Sequence, residues 1–125
     1  MVENSTVSSK KIVLIDNDPE YLQVVGATLS MMGFLPYTFE NPLEAIEFIK
    51  KESTSIVITD YDMNEITALD VIREVKVFNN RIRVIVISGN PDKMIEEKVL
   101  KAGAYSFLNK PLNIKKLVLL ASEIS

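Results

Sequence analysis

The run Ser55-Ile56-Val57-Ile58-Thr59-Asp60-Tyr61-Asp62 decides how the rest of the chain is read. Four consecutive apolar or β-branched residues, Ile56 to Thr59, suit a strand buried on both faces, as in a parallel sheet. The run then stops in acid, and Asp60 falls at the strand's carboxyl end. In an open α/β sheet that edge is where ligands and chemistry collect. If one side chain here is reactive, it is the Asp60 carboxylate.

Moving outward from this strand, the same pattern repeats along the chain. Lys11–Ile15 is a first buried strand that runs into Asp16. Asp18 is a good N-cap and Pro19 a good first helical residue. Leu22, Val25, Leu29 and Met32 then fall on one helical face, and Gly33 is the expected stop. Residues 34–39 form a second strand, and Pro36, which cannot donate to a central ladder, assigns it to the sheet edge. Asn41-Pro42-Leu43-Glu44 opens a second helix, with Asn41 as cap and Glu44 placed to reach back in a capping box. Ile46 and Ile49 give that helix its inner face. After the strand at 55–60 comes a loop at 61–66, then a third helix over about 67–78 with Leu69, Ile72 and Val75 inward. The fourth strand, 82–87, ends at Ser88-Gly89-Asn90. Pro91 opens a fourth helix that carries Ile95, Val99 and Ala102 and ends near Gly103. The fifth strand, 104–108, is followed by Asn109-Lys110-Pro111. A last helix, about 113–124, buries Ile114, Leu117, Val118 and Ala121.

Strict alternation of five strands and five helices with short connections implies a parallel sheet covered on both faces. The predicted fold is a flavodoxin-like, doubly wound (βα)5 α/β domain with a five-stranded parallel sheet in the order 2-1-3-4-5. That order also puts the strand holding Pro36 at an edge. Residues 1–10, polar and aperiodic, read as a disordered leader, and 11–125 as one domain.

Composition narrows the chemistry. The 125 residues are 47% hydrophobic and 25% charged, with a net charge of −3, the profile of an ordinary globular domain. No basic surplus argues for nucleic acid. The absence of Cys and His excludes disulfides, thiol catalysis, zinc sites of the usual kind and a Ser-His-Asp triad. A metal would need oxygen ligands, hence Mg²⁺, Ca²⁺ or Mn²⁺. The sequence shows no signal peptide and no apolar run of membrane-spanning length, so a cytoplasmic location is expected.

The alternation itself gathers a set of side chains at one edge. The first strand delivers Asp16, Asn17 and Asp18, the third Asp60 and Asp62, the fourth Ser88 and the fifth Lys110. Asp18 is best read as a helix cap. The first and third strands are neighbours, so Asp16 and Asp60 should lie close together. Crowded carboxylates repel unless a cation sits between them, and Mg²⁺ suits a site with so few protein ligands. A carboxylate nucleophile, a metal, a lysine and a hydroxyl make a phosphoryl-transfer site.

These pieces resemble the receiver domain of two-component response regulators. The resemblance covers residues 11 to about 124 and is carried by Val13-Leu14-Ile15-Asp16-Asn17-Asp18-Pro19, Ile58-Thr59-Asp60, Val86-Ile87-Ser88-Gly89 and Phe107-Leu108-Asn109-Lys110-Pro111. It implies that Asp60 accepts a phosphoryl group from a sensor histidine kinase or phosphotransfer protein. Asp16 and Asn17 fall on the family's Mg²⁺-holding acidic pair, and the backbone carbonyl of Asp62 is a further metal ligand. Ser88 would bond the phosphoryl group, Lys110 would pair with it through a cis Lys110-Pro111 peptide, and Phe107 would be the switch aromatic. Gly89 would leave the Ser88 donor unobstructed. A downstream effector would bind the face made by the fourth helix, fifth strand and fifth helix, where a homodimer is also possible. Neither nucleic acid nor membrane is an expected direct partner. Any catalysis would be confined to the domain's own phosphotransfer and dephosphorylation.

The sequence also departs from the family pattern. Asn17 stands where an acid is usual, which predicts weaker metal binding. Asn64-Glu65 replaces the usual Pro-Gly and Ala68 a usual Gly, so the loop after Asp60 should differ in shape. Two rival readings remain. One is a receiver-like interaction module that works without phosphate, supported by Asn17 and the altered loop. The other is a small flavodoxin-like enzyme or nucleotide binder, opposed by Asp-Asn-Asp-Pro where a phosphate cradle would be.

Overall fold

The computed structural model describes residues 10–90 and 92–124. Five parallel strands form the sheet: β1 (Lys11–Ile15), β2 (Leu35–Phe39), β3 (Ile56–Asp60), β4 (Arg83–Ser88) and β5 (Ser106–Asn109). Their order is β2-β1-β3-β4-β5, as the alternation predicts. Five helices alternate with them: α1 (Pro19–Met31), α2 (Pro42–Lys51), α3 (Ala68–Phe78), α4 (Lys93–Ala102) and α5 (Ile114–Glu123). β2, with Pro36, lies at the edge.

The continuous apolar runs of the central strands have a simple cause. Side chains alternate between the two faces of a strand, and here each face has its own core. Ile12, Leu14, Ile56, Ile58, Ile85 and Ile87 pack with Leu22, Val25 and Leu29 of α1 and Leu117 and Ala121 of α5. Val13, Ile15, Val57, Val84 and Val86 pack on the other face with Ala45 and Ile49 of α2, Val71, Ile72 and Val75 of α3, and Val99 of α4. A strand polar on one face could not serve both layers, so the sequence reads as unbroken β-branched residues.

The helix caps follow the sequence. The Asp18 carboxylate accepts from the backbone N–H groups of Glu20 and Tyr21, and Asn41 accepts from Leu43 N–H at 2.8 Å. Gly33 (φ 97°) and Gly103 (φ 117°) take the left-handed conformation that ends α1 and α4. The capping box expected of Asn41 and Glu44 is not formed, since Asn41 accepts only from Leu43 N–H; the reciprocal box occurs at α3 instead. There Thr67 accepts from Leu69 N–H, and Asp70 accepts from Thr67 N–H at 3.1 Å.

Several sequence expectations need correction. β2 and β3 start one residue later than predicted, β4 is shifted by one residue, and β5 runs 106–109 rather than 104–108. Before β5, Ala104 N–H still closes the end of α4 on Val99 O, and Tyr105 N–H bonds Val84 O of β4. α4 starts at Lys93 with Asp92 as its cap; Pro91, expected to open it, lies outside the described residues, as does nearly all of the expected leader. Met32 and Ala102 are exposed rather than inward, because both sit at the helix ends where the buried stripe has run out. The 61–66 loop is not structureless. Asp62–Met63 and Ile66–Thr67 pair antiparallel through a two-residue turn in which Asn64 adopts φ 69°. Asn tolerates that left-handed conformation better than most residues, so Asn64 suits the turn that joins the two short strands. Among the described residues no helix is long and apolar enough to cross a membrane.

Candidate functional site

The register of the sheet brings the candidate residues together. Ile15 pairs with Thr59, so Asp16 and Asp60 are the next residues along adjacent strands. Asp60 pairs with Ile87 and Ser88 with Asn109, which places Ser88 and Lys110 one step further out. The period of two then divides the set. Asp16, Asp60 and Lys110 share the parity of Leu14, Ile58 and Leu108, the residues that face α1 and α5. Ser88 and Phe107 share the parity of Val86, toward α2, α3 and α4. The acid–lysine cluster and the hydroxyl–aromatic pair thus approach the sheet edge from opposite faces.

The Lys110 ammonium bridges both carboxylates, at 3.1 Å from Asp16 Oδ2 and 3.2 Å from Asp60 Oδ1. Asp16 is 2% exposed, and its other oxygen accepts from Asp18 N–H at 2.9 Å. Burial raises the Asp60 carboxyl above the ordinary aspartate range, the Asp16 charge adds to this, and Lys110 only partly opposes it. Burial alone would lower Lys110. The hydrogen bond and charge of Asp16, with Asp60 behind them, outweigh that and hold the ammonium above the usual lysine range. The cluster is therefore a strained charge balance: two acids of like sign around one cation. The Lys110-Pro111 peptide is cis.

Ser88 is buried, and its hydroxyl faces the chain that follows it. Oγ accepts from Asn90 N–H at 3.0 Å and donates to Asn90 O at 3.2 Å. Lys110 N–H donates to Ser88 O at 2.8 Å, tying β5 to β4 at the site. Phe107 is half-buried against the α2–α4 core. A Cβ built on Gly89 would lie 3.9 Å from Lys110 Cδ, an ordinary contact.

Asn17 and Asp62 are exposed. Asn17 lines a cleft of about 340 Å³ with Glu40, Asn41, Met63, Asn64 and Glu65. Among the described residues no three acidic side chains converge as a metal site. The donors that remain are all oxygens: the Asp16 and Asp60 carboxylates, the Asn17 side-chain carbonyl and the Asp62 backbone carbonyl. Mg²⁺ is usually held by one or two carboxylates and keeps several waters, so this set fits it. The Asp16 charge that helps raise Asp60, only partly opposed by Lys110, is the kind that a divalent cation would offset.

Sequence reasoning missed Tyr21. Its ring centroid lies 4.3 Å from Lys110 Nζ, and its hydroxyl is buried with no hydrogen-bond partner among the described residues. The available signal was its place in the first turn of α1, the helix that leaves Asp16.

Comparison with known proteins agrees with this geometry. The family profile of the response regulator receiver domain matches residues 12–122. The transcriptional regulatory protein ZraR of Klebsiella oxytoca is 30% identical over 112 residues, covering 90% of this chain and 25% of ZraR. The chain therefore spans about a quarter of that relative's length. The crystal structure of a response regulator receiver domain protein from Clostridium thermocellum gives a TM-score of 0.87 at 26% identity, covering 92% of this chain and 93% of that one. The beryllofluoride-activated NtrC4 receiver domain, solved as a dimer in solution, gives 0.86 at 25% identity, covering 91% and 94%. A doubly wound sheet whose carboxyl edge holds two aspartates on one lysine defines a receiver-type signalling fold. The chain belongs to the response regulator receiver domain family, the receivers of two-component systems.

Proposed function

We propose that Asp60 is the phospho-accepting residue of this domain, taking a phosphoryl group from the phosphohistidine of a sensor kinase or phosphotransfer protein. The observation that carries the reading is the Lys110 ammonium bridging Asp16 and Asp60 at the ends of adjacent strands. A carboxylate oxygen of Asp60 forms the new P–O bond, the P–N bond to the donor histidine breaks, and its electron pair stays on the imidazole. Asp60 is poised for this because it is only partly buried while Asp16 is not accessible. Lys110 is already within reach of Asp60 and turns to the incoming oxygens, which carry more charge than the carboxylate they extend. Ser88 must exchange its bonds with Asn90 for one to the phosphoryl group, and Phe107, on the same side of the sheet, follows the space it leaves.

Asp16, Asp60, Asn17 and the Asp62 carbonyl would hold Mg²⁺, which would supply neutralisation of phosphoryl charge during transfer. The change at Ser88 and Phe107 biases packing around α4, β5 and α5. That face exposes Leu100, Tyr105 and Leu119, apolar surface suited to an effector or a second copy of the domain. A kinase-fed phosphorelay places the domain in the cytoplasm.

The test is intact mass after incubation with acetyl phosphate, with Mg²⁺ or with EDTA, beside the Asp60→Asn variant. The expected result is a gain of one phosphoryl group that requires both Mg²⁺ and Asp60. No gain in the wild-type chain under any Mg²⁺ concentration refutes the proposal and favours a receiver that acts without phosphate.

A further inference from the structure

We infer that Tyr21 is a positioning residue for Lys110: its ring is the wall that holds the ammonium between Asp16 and Asp60. The inference rests on the reading above, in which Lys110 pairs with the phosphoryl group. Lysine is a flexible side chain that carries a compact charge. Without a support it would sample many rotamers, and only some would place Nζ between the two acids. Its contacts come from two directions. The carboxylates lie 3.1 and 3.2 Å away, and the Tyr21 ring lies with its centroid 4.3 Å from Nζ. A cation at that distance from an aromatic centroid is within attractive range.

Tyr21 itself is fixed. It sits in the first turn of α1, where its N–H donates to the Asp18 cap. Its ring packs on the core shared by α1 and α5. The sheet's parity sends Asp16, Asp60 and Lys110 to this same side, so the first turn of α1 is the element that closes the cluster. The phenol brings no charge of its own, since burial pushes it up to about 12. The hydroxyl makes no hydrogen bond among the described residues. The ring, not the hydroxyl, is what acts on the lysine.

The test uses the full chain with Tyr21→Phe, which keeps the ring, and Tyr21→Leu, which keeps apolar bulk without it. Tyr21→Met serves as the ring-less variant if the leucine form does not fold. Proton NMR of the unphosphorylated protein reads the Lys110 methylenes, which the ring should shift upfield. The shift is expected in wild type and Tyr21→Phe and lost without the ring. Acetyl phosphate kinetics at saturating Mg²⁺ then give the transfer rate. Loss of one cation–π contact predicts a three- to fivefold fall without the ring, with Tyr21→Phe rescuing to within about twofold. Unshifted Lys110 methylenes in wild type, a ring-less variant as fast as wild type, or Tyr21→Phe as slow as the ring-less form would each overturn the inference. If wild type takes no phosphoryl group at all, the phosphorylation reading fails, while the NMR arm still decides the role of Tyr21.

Discussion

Replacing Lys110 by methionine should expose how much of the fold depends on one cation at the site. Each carboxylate contact, at 3.1 and 3.2 Å, carries a gross attraction of about 5 kcal/mol at an effective dielectric of about 20. Most of that offsets the desolvation of the three charges and the repulsion between the two acids. What matters for stability is the cost of leaving a buried charge without its partner, about 3–5 kcal/mol for a fully buried pair. Lys110 is 27% exposed and Asp60 11%, so solvent screening brings the expected loss to about 2–3 kcal/mol. Urea denaturation followed by circular dichroism at pH 7.5 would measure it. Because Asp16 is 2% exposed, the Asp16→Asn/Lys110→Met double variant should recover at least about half of the loss. Acid should help the single variant as well. Asp60 is already raised by burial and by Asp16, and without Lys110 it holds its proton more strongly when folded than when unfolded. The folded state then binds more protons, so stability rises as pH falls toward the carboxylate range. A Lys110→Met protein within about 0.5 kcal/mol of wild type, with no rescue by Asp16→Asn, would refute the view that Lys110 neutralises the cluster.

Three further outcomes can be checked with the same material. Asn17→Asp restores a charged ligand beside Asp16 and should tighten Mg²⁺ binding tenfold or more, about 1.4 kcal/mol, read by thermal shift against Mg²⁺ concentration; an unchanged affinity would remove Asn17 from the site. In wild type, the raised Asp60 value disfavours its charged form in the fold. Asp60→Asn should therefore be more stable than wild type at pH 7, and the difference should shrink as pH falls through the folded Asp60 value and vanish below the ordinary aspartate range; a variant less stable at pH 7 would contradict the assigned direction. Thr67→Ala removes the cap of α3 and should cost about 1 kcal/mol in denaturant, whereas no loss would mean that Ala68 packing alone sets the start of the helix.

The sheet order and the identity of the edge residues were legible because they follow from strong signals. Runs such as Val84 to Ile87 must serve two cores at once, and caps such as Asp18 and Asn41 mark where helices begin. The position of Asp16 beside Asp60 then follows from strand adjacency alone. The illegible parts depend on short or side-chain-level effects. Strands of two residues, Asp62–Met63 and Ile66–Thr67, are too brief to show a period, and their turn depends on one left-handed asparagine. The Ser88 hydroxyl's bonds to Asn90 are a local choice that no pattern announces. Tyr21 carries no sequence signal of its own beyond its place in the first helix, yet its ring lies against Lys110.

The account stands or falls on which carboxylate carries the phosphoryl group. Borohydride reduction of the acetyl phosphate-treated protein converts an aspartyl phosphate to homoserine, and peptide mass spectrometry then locates it. The prediction is a single reduced position at Asp60, absent when Mg²⁺ is removed. A reduced Asp16, Asp18 or Asp62 in its place, or no reduced residue in a protein that has gained phosphate, would contradict the assignment of Asp60 as the acceptor.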